Sequence, residues 1–199
     1  VSIWESLFSI LGPNALVHSL TGLAPKRMGN RAPTSAPRNT YKTKDNRWLA
    51  LAGATQTTAI RLFEVIGRPE LINDPRFNNN SNRVLNVEEL DVYISDWIGK
   101  YSLEEVSKIL HENAVPVGPV FNIVDIMENA HAKAREMIVE VDDNGLKLPT
   151  ESVFPKMSRT PGKIKHLGKE MGADNIEIFT DRLGMSEEEI NNLKKEGII

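Results

Sequence analysis

Apolar residues fall on one helical face in the first positions of this 199-residue sequence. The stripe comprises Val1, Ile3, Trp4, Leu7, Phe8 and Leu11. The Gly12-Pro13 pair interrupts this helix, and a second helix is predicted at 14–20, ended by Thr21 and Gly22. An amphipathic helix at residue 1, without an initiator methionine, indicates a fragment of a longer polypeptide. We therefore expect this apolar face to lack part of the surface that it packs against in the longer polypeptide.

The central part of the chain combines strand-like and helical patterns. Two strands are predicted at 41–43 and 47–52, joined by a turn at 44–46. Three helices are predicted to follow: one capped by Thr55 or Thr57 and running to Ile66, one at 87–100, and one from the capping box Ser102-Leu-Glu-Glu105 to about Asn113. The segment 115–120 is too rich in proline for a central strand and too apolar for an exposed loop. It is predicted to form a tight, partly buried connection.

The last third is predicted to add a short helix, a hairpin and a helical tail. A helix is expected at 123–129, and strands at 138–141 and 146–148 flank the turn signal Asp143-Asn-Gly145. Val153 and Phe154 form a further candidate strand. A helix at 174–183 and a second capping box, Ser186-Glu-Glu-Glu189, predict the tail. Together these patterns predict a mixed fold of helices and short sheets.

A basic segment interrupts this otherwise acidic chain. Residues 26–44 contain six basic residues and no acidic one, whereas the whole chain has a net charge of −3, so the remainder sums to −9. Such a positive region can steer and hold an anionic ligand. The alternative is a solvated linker between two helical segments. The acidic pI of about 5.9 and the lack of interleaved aromatic residues argue against nucleic-acid binding.

Several kinds of chemistry are excluded by composition and motif. The sequence has no cysteine, which rules out disulfides, a thiol nucleophile and thiolate metal ligands. Its four histidines lack zinc-site spacing, and no metal site is expected. Acidic pairs such as Glu104-Glu105 fall in the first turns of predicted helices, where they complement the helix dipole. No apolar run approaches the roughly 20 residues that span a bilayer, so no membrane partner is expected.

The loop at 29–41 is therefore the candidate ligand-contacting segment. Gly29 permits close backbone approach, Asn30 and Arg31 offer hydrogen-bond donors, and Thr34 and Ser35 add hydroxyl groups between two prolines. This composition suits an acyl, carboxylate or phosphate group, but it supplies no nucleophile. The candidate substrate or CoA-contacting residues are Gly29, Asn30, Arg31, Thr34, Ser35 and Arg38.

Ordered motifs along the chain resemble the class III CoA-transferase family. The motifs are Gly29-Asn30-Arg31-x-Pro33-x-x-Ala36-Pro37-x-x-Thr40-Tyr41, Gly67-Arg68-Pro69-Glu70-Leu71, Asp74-Pro75-Arg76-Phe77, Val115-Pro-Val-Gly-Pro-Val120 and Ser158-Arg-Thr-Pro-Gly162. The ending from Leu183 to Ile190 and Gly197-Ile-Ile199 also matches. By this resemblance the chain is the C-terminal portion of a cytoplasmic enzyme that moves CoA between carboxylic acids.

The resemblance implies a fold class and a division into domains. The parent would be α/β, with this chain α+β: a small mixed helix and short-sheet domain flanked by segments of the family's large domain. Residues 1–25 would belong to the large domain, 26–40 to the active-site loop, 41–154 to the small domain and 155–199 to the return into the large domain. In some members of the family a glycine-rich loop closes over the acyl-CoA. Here that loop is replaced by Ala32-Pro-Thr-Ser-Ala-Pro37, a sequence that does not favour such a closing motion.

The resemblance also implies substrates and partners. Acyl-CoA and a carboxylic acid would be the substrates, with no covalently bound cofactor, and the full-length protein would be an interlocked homodimer. The family's nucleophilic aspartate lies in the N-terminal half, so no catalytic residue is assigned here and the chain is expected to be inactive alone. Two alternatives stay open: a fragment of a 2-methylacyl-CoA racemase, or a non-catalytic dimerisation or CoA-contacting module.

Overall fold

In a computed structural model of the protein, which describes residues 2–143 and 145–199, two short helices precede the basic segment. They are α1 (Ile3–Ser9) and α2 (Asn14–Thr21). The Ser2 side chain caps α1, and Gly22, with a positive φ of 71°, ends α2 by donating its N–H to the His18 carbonyl. The predicted interruption and end are thus confirmed. The described residues of the apolar stripe are exposed; Trp4, for example, retains 69% of its accessible surface. Val1, the first residue of the predicted stripe, lies outside the described residues.

A three-stranded antiparallel sheet follows the basic segment. Its strands are β1 (Arg38–Lys42), β2 (Trp48–Ala52) and β3 (Val117–Pro119), in the spatial order β1-β2-β3. β1 starts earlier than predicted because Arg38 and Asn39 pair with Ala52 and Leu51. The prediction of an irregular connection at 115–120 is wrong for residues 117–119, which form the edge strand β3. Proline is tolerated there because β3 pairs on one side only, so a missing N–H breaks no second ladder.

Helices cover one face of this sheet. They are α3 (Gln56–Val65), α4 (Asn80–Leu85), α5 (Val87–Ile98) and α6 (Leu103–Glu112), with a 3₁₀ turn at Pro69–Ile72. Thr55 caps α3, and the Ser102–Glu105 capping box starts α6, as predicted. Buried apolar residues of α3, α5 and α6 join Leu49 and Leu51 of β2 in one core cluster. The residues of β2 alternate, so Trp48, Ala50 and Ala52 point away from that core.

The first compact unit of the chain is Val1–Val120, and the second is Phe121–Ile199. The second contains α7 (Ile123–Glu128), α8 (Ala130–Ala134), β4 (Ile138–Asp143), β5 (Leu146–Glu151), a π-helix (Glu177–Arg182) and α9 (Glu187–Lys195). The helices and short antiparallel sheets confirm the α+β class. The predicted boundaries at 25, 40 and 154 concern membership of larger domains and stay predictions.

Most local features of the second unit follow their sequence signals. The helix predicted at 174–183 forms as a π-helix at Glu177–Arg182. The β4–β5 hairpin is confirmed, although Asn144 of its predicted turn lies outside the described residues. The Ser186–Glu189 capping box is also confirmed. The strand predicted at Val153 and Phe154 is wrong, because pairing ends at Glu151 and the chain turns away before Pro155. Within residues 2–143 and 145–199, no helix has both the length and the apolar character needed to cross a bilayer.

Candidate functional site

The uncovered face of the three-stranded sheet carries an open pocket of about 380 Å³. It is lined by Asn30, Arg38, Asn39, Thr40, Ala50, Leu51, Ala52, Pro116, Val117 and Gly118. The strand register explains this grouping: Thr40 lies opposite Ala50, Arg38 lies opposite Ala52, and Ala50 lies opposite Gly118. Directly opposed residues share a face of a sheet. The floor of the pocket is therefore made of small side chains.

One charged group faces this floor. Among the described residues lining the pocket, Arg38 is the only charged one, and it is exposed. Within the part of the chain that the structure describes, its guanidinium makes no ion pair and no side-chain hydrogen bond. A free guanidinium offers paired N–H donors in the geometry of a carboxylate or phosphate. The pocket is thus suited to a ligand with an anionic group beside a slender chain.

The predicted loop is divided between the pocket and the protein interior. Asn30 reaches the pocket, where its Nδ2 donates to Thr40 Oγ1 at 2.7 Å. Gly29, with a positive φ of 64°, makes the turn before it, and no atom lies within 4 Å of where a Cβ would be. Thr34 and Ser35 belong to a tight turn closed by a bridge between Ala32 and Ser35. The structure thus brings Asn30 and Arg38 together at the pocket, whereas Gly29, Arg31, Thr34 and Ser35 do not line it.

Arg31 is directed at a carboxylate rather than at the pocket. Its Nε donates to Asp91 Oδ2 at 2.7 Å, and its Nη1 lies 3.6 Å from Glu88. Asp91 is buried on α5 and also accepts hydrogen bonds from Asn39 Nδ2 at 2.9 Å and Tyr41 Oη at 2.6 Å. Burial, and secondly the hydrogen bond to Asp91, raise the pKa of the Tyr41 phenol well above its usual value. This cluster anchors the start of the loop to α5.

The middle of the loop is held by two residues of α4. Asn80 accepts a hydrogen bond from the Ala36 N–H at 3.1 Å and donates to the Thr34 carbonyl at 2.9 Å. One turn further, the fully buried Arg83 donates its Nε to the Ala36 carbonyl at 2.8 Å. Burial lowers the pKa of this guanidinium. The loop is therefore held at Arg31 and again at Thr34 and Ala36, while Pro33 and Thr34 are exposed.

Sequence patterns indicated some of these residues and missed others. Asp91 interrupts the apolar stripe of α5 between Leu90 and Ile94, and a carboxylate in that position could have been recognised as a buried anchor. Arg83 and Asn80 belong to a polar helix with no sign of burial. Among the described residues, no group of three or more histidine, aspartate or glutamate side chains is placed to hold a metal ion.

Comparison with known proteins shows relatives whose names describe CoA transfer. The chain is 32% identical over 200 residues to the succinyl-CoA–D-citramalate CoA-transferase of Chloroflexus aurantiacus, covering 100% of this chain and 50% of that protein. It is 30% identical over 200 residues to the succinyl-CoA–L-malate CoA-transferase alpha subunit of Chloroflexus aurantiacus, covering 100% and 47%. The chain thus spans about half the length of the curated relatives it matches.

A solved structure and a family model indicate the same kind of protein as these relatives. A solved structure of a CAIB/BAIF family protein from Brucella suis superposes with a TM-score of 0.68 at 25% identity, covering 87% of this chain and 44% of that one. Residues 1–175 match the model of CoA-transferase family III. The protein therefore belongs to CoA-transferase family III, which confirms the resemblance carried by its motifs.

Proposed function

We propose that this chain is part of an enzyme that moves CoA from an acyl-CoA to a carboxylic acid, and that the sheet pocket binds an anionic part of these substrates. The observation that carries the proposal is the exposed Arg38, which has no ion-pair partner among the described residues, on an open floor of small residues. Asn30 and Thr40 stand beside it with polar atoms. A CoA thioester and an acid both combine anionic groups with a flexible chain, which is the combination that this pocket can accommodate.

The relatives suggest a class of acid. Their names specify succinyl-CoA as donor and citramalate or malate as acceptor, so dicarboxylic acids are the substrates to try first. In such an acid one carboxylate enters the thioester and the other stays free. The free carboxylate is a suitable partner for Arg38, because a guanidinium binds a carboxylate through two parallel hydrogen bonds.

We further propose that residues 1–199 do not complete the transfer unaided. A transfer through an acyl-enzyme needs a carboxylate nucleophile that can reach the thioester. The described lining of the pocket contains no carboxylate, and Asp91 beneath the loop is occupied by three donors. Following the resemblance, we also propose a cytoplasmic homodimer for the full-length protein. The absence of cysteine is compatible with that compartment.

The experiment is an acyl-transfer assay on the polypeptide as its gene encodes it. Succinyl-CoA and L-malate or D-citramalate are supplied, and the CoA esters are separated by chromatography. We expect a new CoA ester with the natural protein and a KM for the acid raised about tenfold by Arg38→Gln, a loss of about 1.4 kcal/mol of binding. Lys100→Gln removes the same charge from an exposed residue outside the pocket and is the matched control.

Three results would contradict parts of this proposal. Equal kinetics for Arg38→Gln and Lys100→Gln would remove the pocket from substrate binding. Exchange of the substrate's α-proton without any acceptor acid would replace the transferase by a racemase. Turnover by residues 1–199 alone would overturn the proposed inactivity of the chain.

A further inference from the structure

Arg83 is a buried cation without a carboxylate partner in the part of the chain that the structure describes. Its side chain is 0% exposed, and all of its described hydrogen bonds go to neutral oxygens. These acceptors are the carbonyls of Ala36 (2.8 Å), Ala54 (2.8 Å) and Phe77 (3.1 Å) and Oε1 of Gln56 (2.9 Å). Burying a guanidinium is costly unless its donors are satisfied, so its location requires all of these acceptors to keep their places.

Two of the acceptors lie at the same end of the β1–β2 hairpin. The last pair of the ladder is Arg38 with Ala52, and the Gly53 N–H donates to the Pro37 carbonyl at 2.9 Å just beyond it. Ala36 precedes Pro37 and Ala54 follows Gly53, so both lie just outside the two strands. Arg83 therefore ties together the two chain segments at the open end of the hairpin, where no turn connects them.

This end of the hairpin is the end that carries the pocket's charge. Arg38 and Ala52 both line the pocket, two residues from the carbonyls that Arg83 holds. The other end of the hairpin is closed by its own turn, in which the Thr43 N–H donates to the Arg47 carbonyl at 2.9 Å. The backbone position of Arg38 therefore depends on Arg83. The closed end of the hairpin is held by its own turn and does not depend on Arg83.

We propose that Arg83 is a positioning residue of the pocket, which fixes the open end of the β1–β2 hairpin so that Arg38 is held where it meets the anionic group of the substrate. The part of this inference that concerns substrate binding by Arg38 rests on the proposed function. Its structural part, the fixing of the hairpin end, is independent of which reaction the protein catalyses.

The structural part is tested by amide hydrogen exchange on the gene-encoded polypeptide. In Arg83→Lys, a single ammonium cannot reach four acceptors, and we expect the Gly53 amide to exchange about tenfold faster while the Thr43 amide is little changed. Leu71→Ala is the matched control, because Leu71 is buried outside the sheet and the pocket. General destabilisation in this control should speed both amides by a similar factor. Parallel acceleration of both amides in Arg83→Lys would overturn the proposal.

The functional part is tested by a double-mutant cycle in the gene-encoded polypeptide. Arg83→Lys should raise the KM for the acid about tenfold in the natural background and less than about twofold when Arg38 is already glutamine, because the effect passes through Arg38. An equal rise in both backgrounds, or no rise, would overturn the positioning role. If the natural protein transfers no CoA at all, the proposed function fails, and the exchange of Gly53 still decides whether Arg83 fixes the hairpin end.

Discussion

The two faces of β2 differ in what their residues do. Leu49, at 0% exposure, belongs to the core beneath the helices, whereas Ala50 and Ala52 face the open pocket. The difference shows how a single strand of five residues can serve stability on one face and ligand contact on the other. Substitutions on the two faces should therefore separate stability from binding.

The largest loss of stability is expected on the covered face. Leu49→Ala removes a fully buried side chain and should lower the free energy of unfolding by about 2–5 kcal/mol. Urea unfolding followed by circular dichroism measures this loss. A loss below about 1 kcal/mol would mean that this face is not the packed core described here.

A smaller loss is expected at the anchor between β1 and α5. Asp91→Asn leaves Arg31 without its close counter-charge and should cost about 1–3 kcal/mol in the same unfolding measurement. The control is Glu88→Gln, whose carboxylate is 88% exposed and 3.6 Å from Arg31, and which should change stability by less than about 1 kcal/mol. Equal effects of the two substitutions would show that the partly buried pair of Arg31 and Asp91 does not anchor the loop.

Tyr41 makes the anchor dependent on pH. Its phenol pKa is raised in the folded protein, first by burial, so the protonated phenol stabilises the fold below the unfolded-state pKa near 10. This stability is lost as the pH rises above 10 towards the higher folded pKa. Tyr41→Phe should therefore be less stable than the natural chain at pH 8, by about 1 kcal/mol, and the gap should narrow above pH 10. A gap that stays constant from pH 8 to 11 would contradict this assignment.

The smallest stability change is expected on the open face. A Cβ added to Gly118 meets nothing within 4 Å, and valine is favoured in strands, so Gly118→Val should alter the unfolding free energy by less than about 0.5 kcal/mol. The same side chain projects over the pocket floor and should raise the KM for the substrate about tenfold. Unchanged kinetics would place the substrate elsewhere.

Local patterns predicted most of the helices and the hairpins, because apolar spacing and caps act within a few residues. The Ser102–Glu105 box and the Thr55 cap are of this kind. Arg83 could not be predicted, since its acceptors at Ala36 and Ala54 are 47 and 29 residues away in the sequence. Pro119 misdirected the assignment of β3, because the edge position that tolerates proline is a property of the assembled sheet.

The candidate loop shows the same limit. Its basic residues are equivalent in the sequence, but folding directs Arg31 to Asp91 and leaves Arg38 exposed at the pocket. Which cation is free therefore depends on the position of α5, 60 residues from Arg31 along the chain.

The central claim, that the open face of the sheet contacts substrate, is tested most directly by the alanine methyl signals of the gene-encoded polypeptide. Ala50 and Ala52 report on the pocket, and Ala59, fully buried in α3, reports on the core. On addition of succinyl-CoA, we expect the Ala50 and Ala52 methyl resonances to shift while that of Ala59 stays in place, and the shifts to weaken in Arg38→Gln. Saturable binding of succinyl-CoA with no shift at Ala50 or Ala52 would contradict the account.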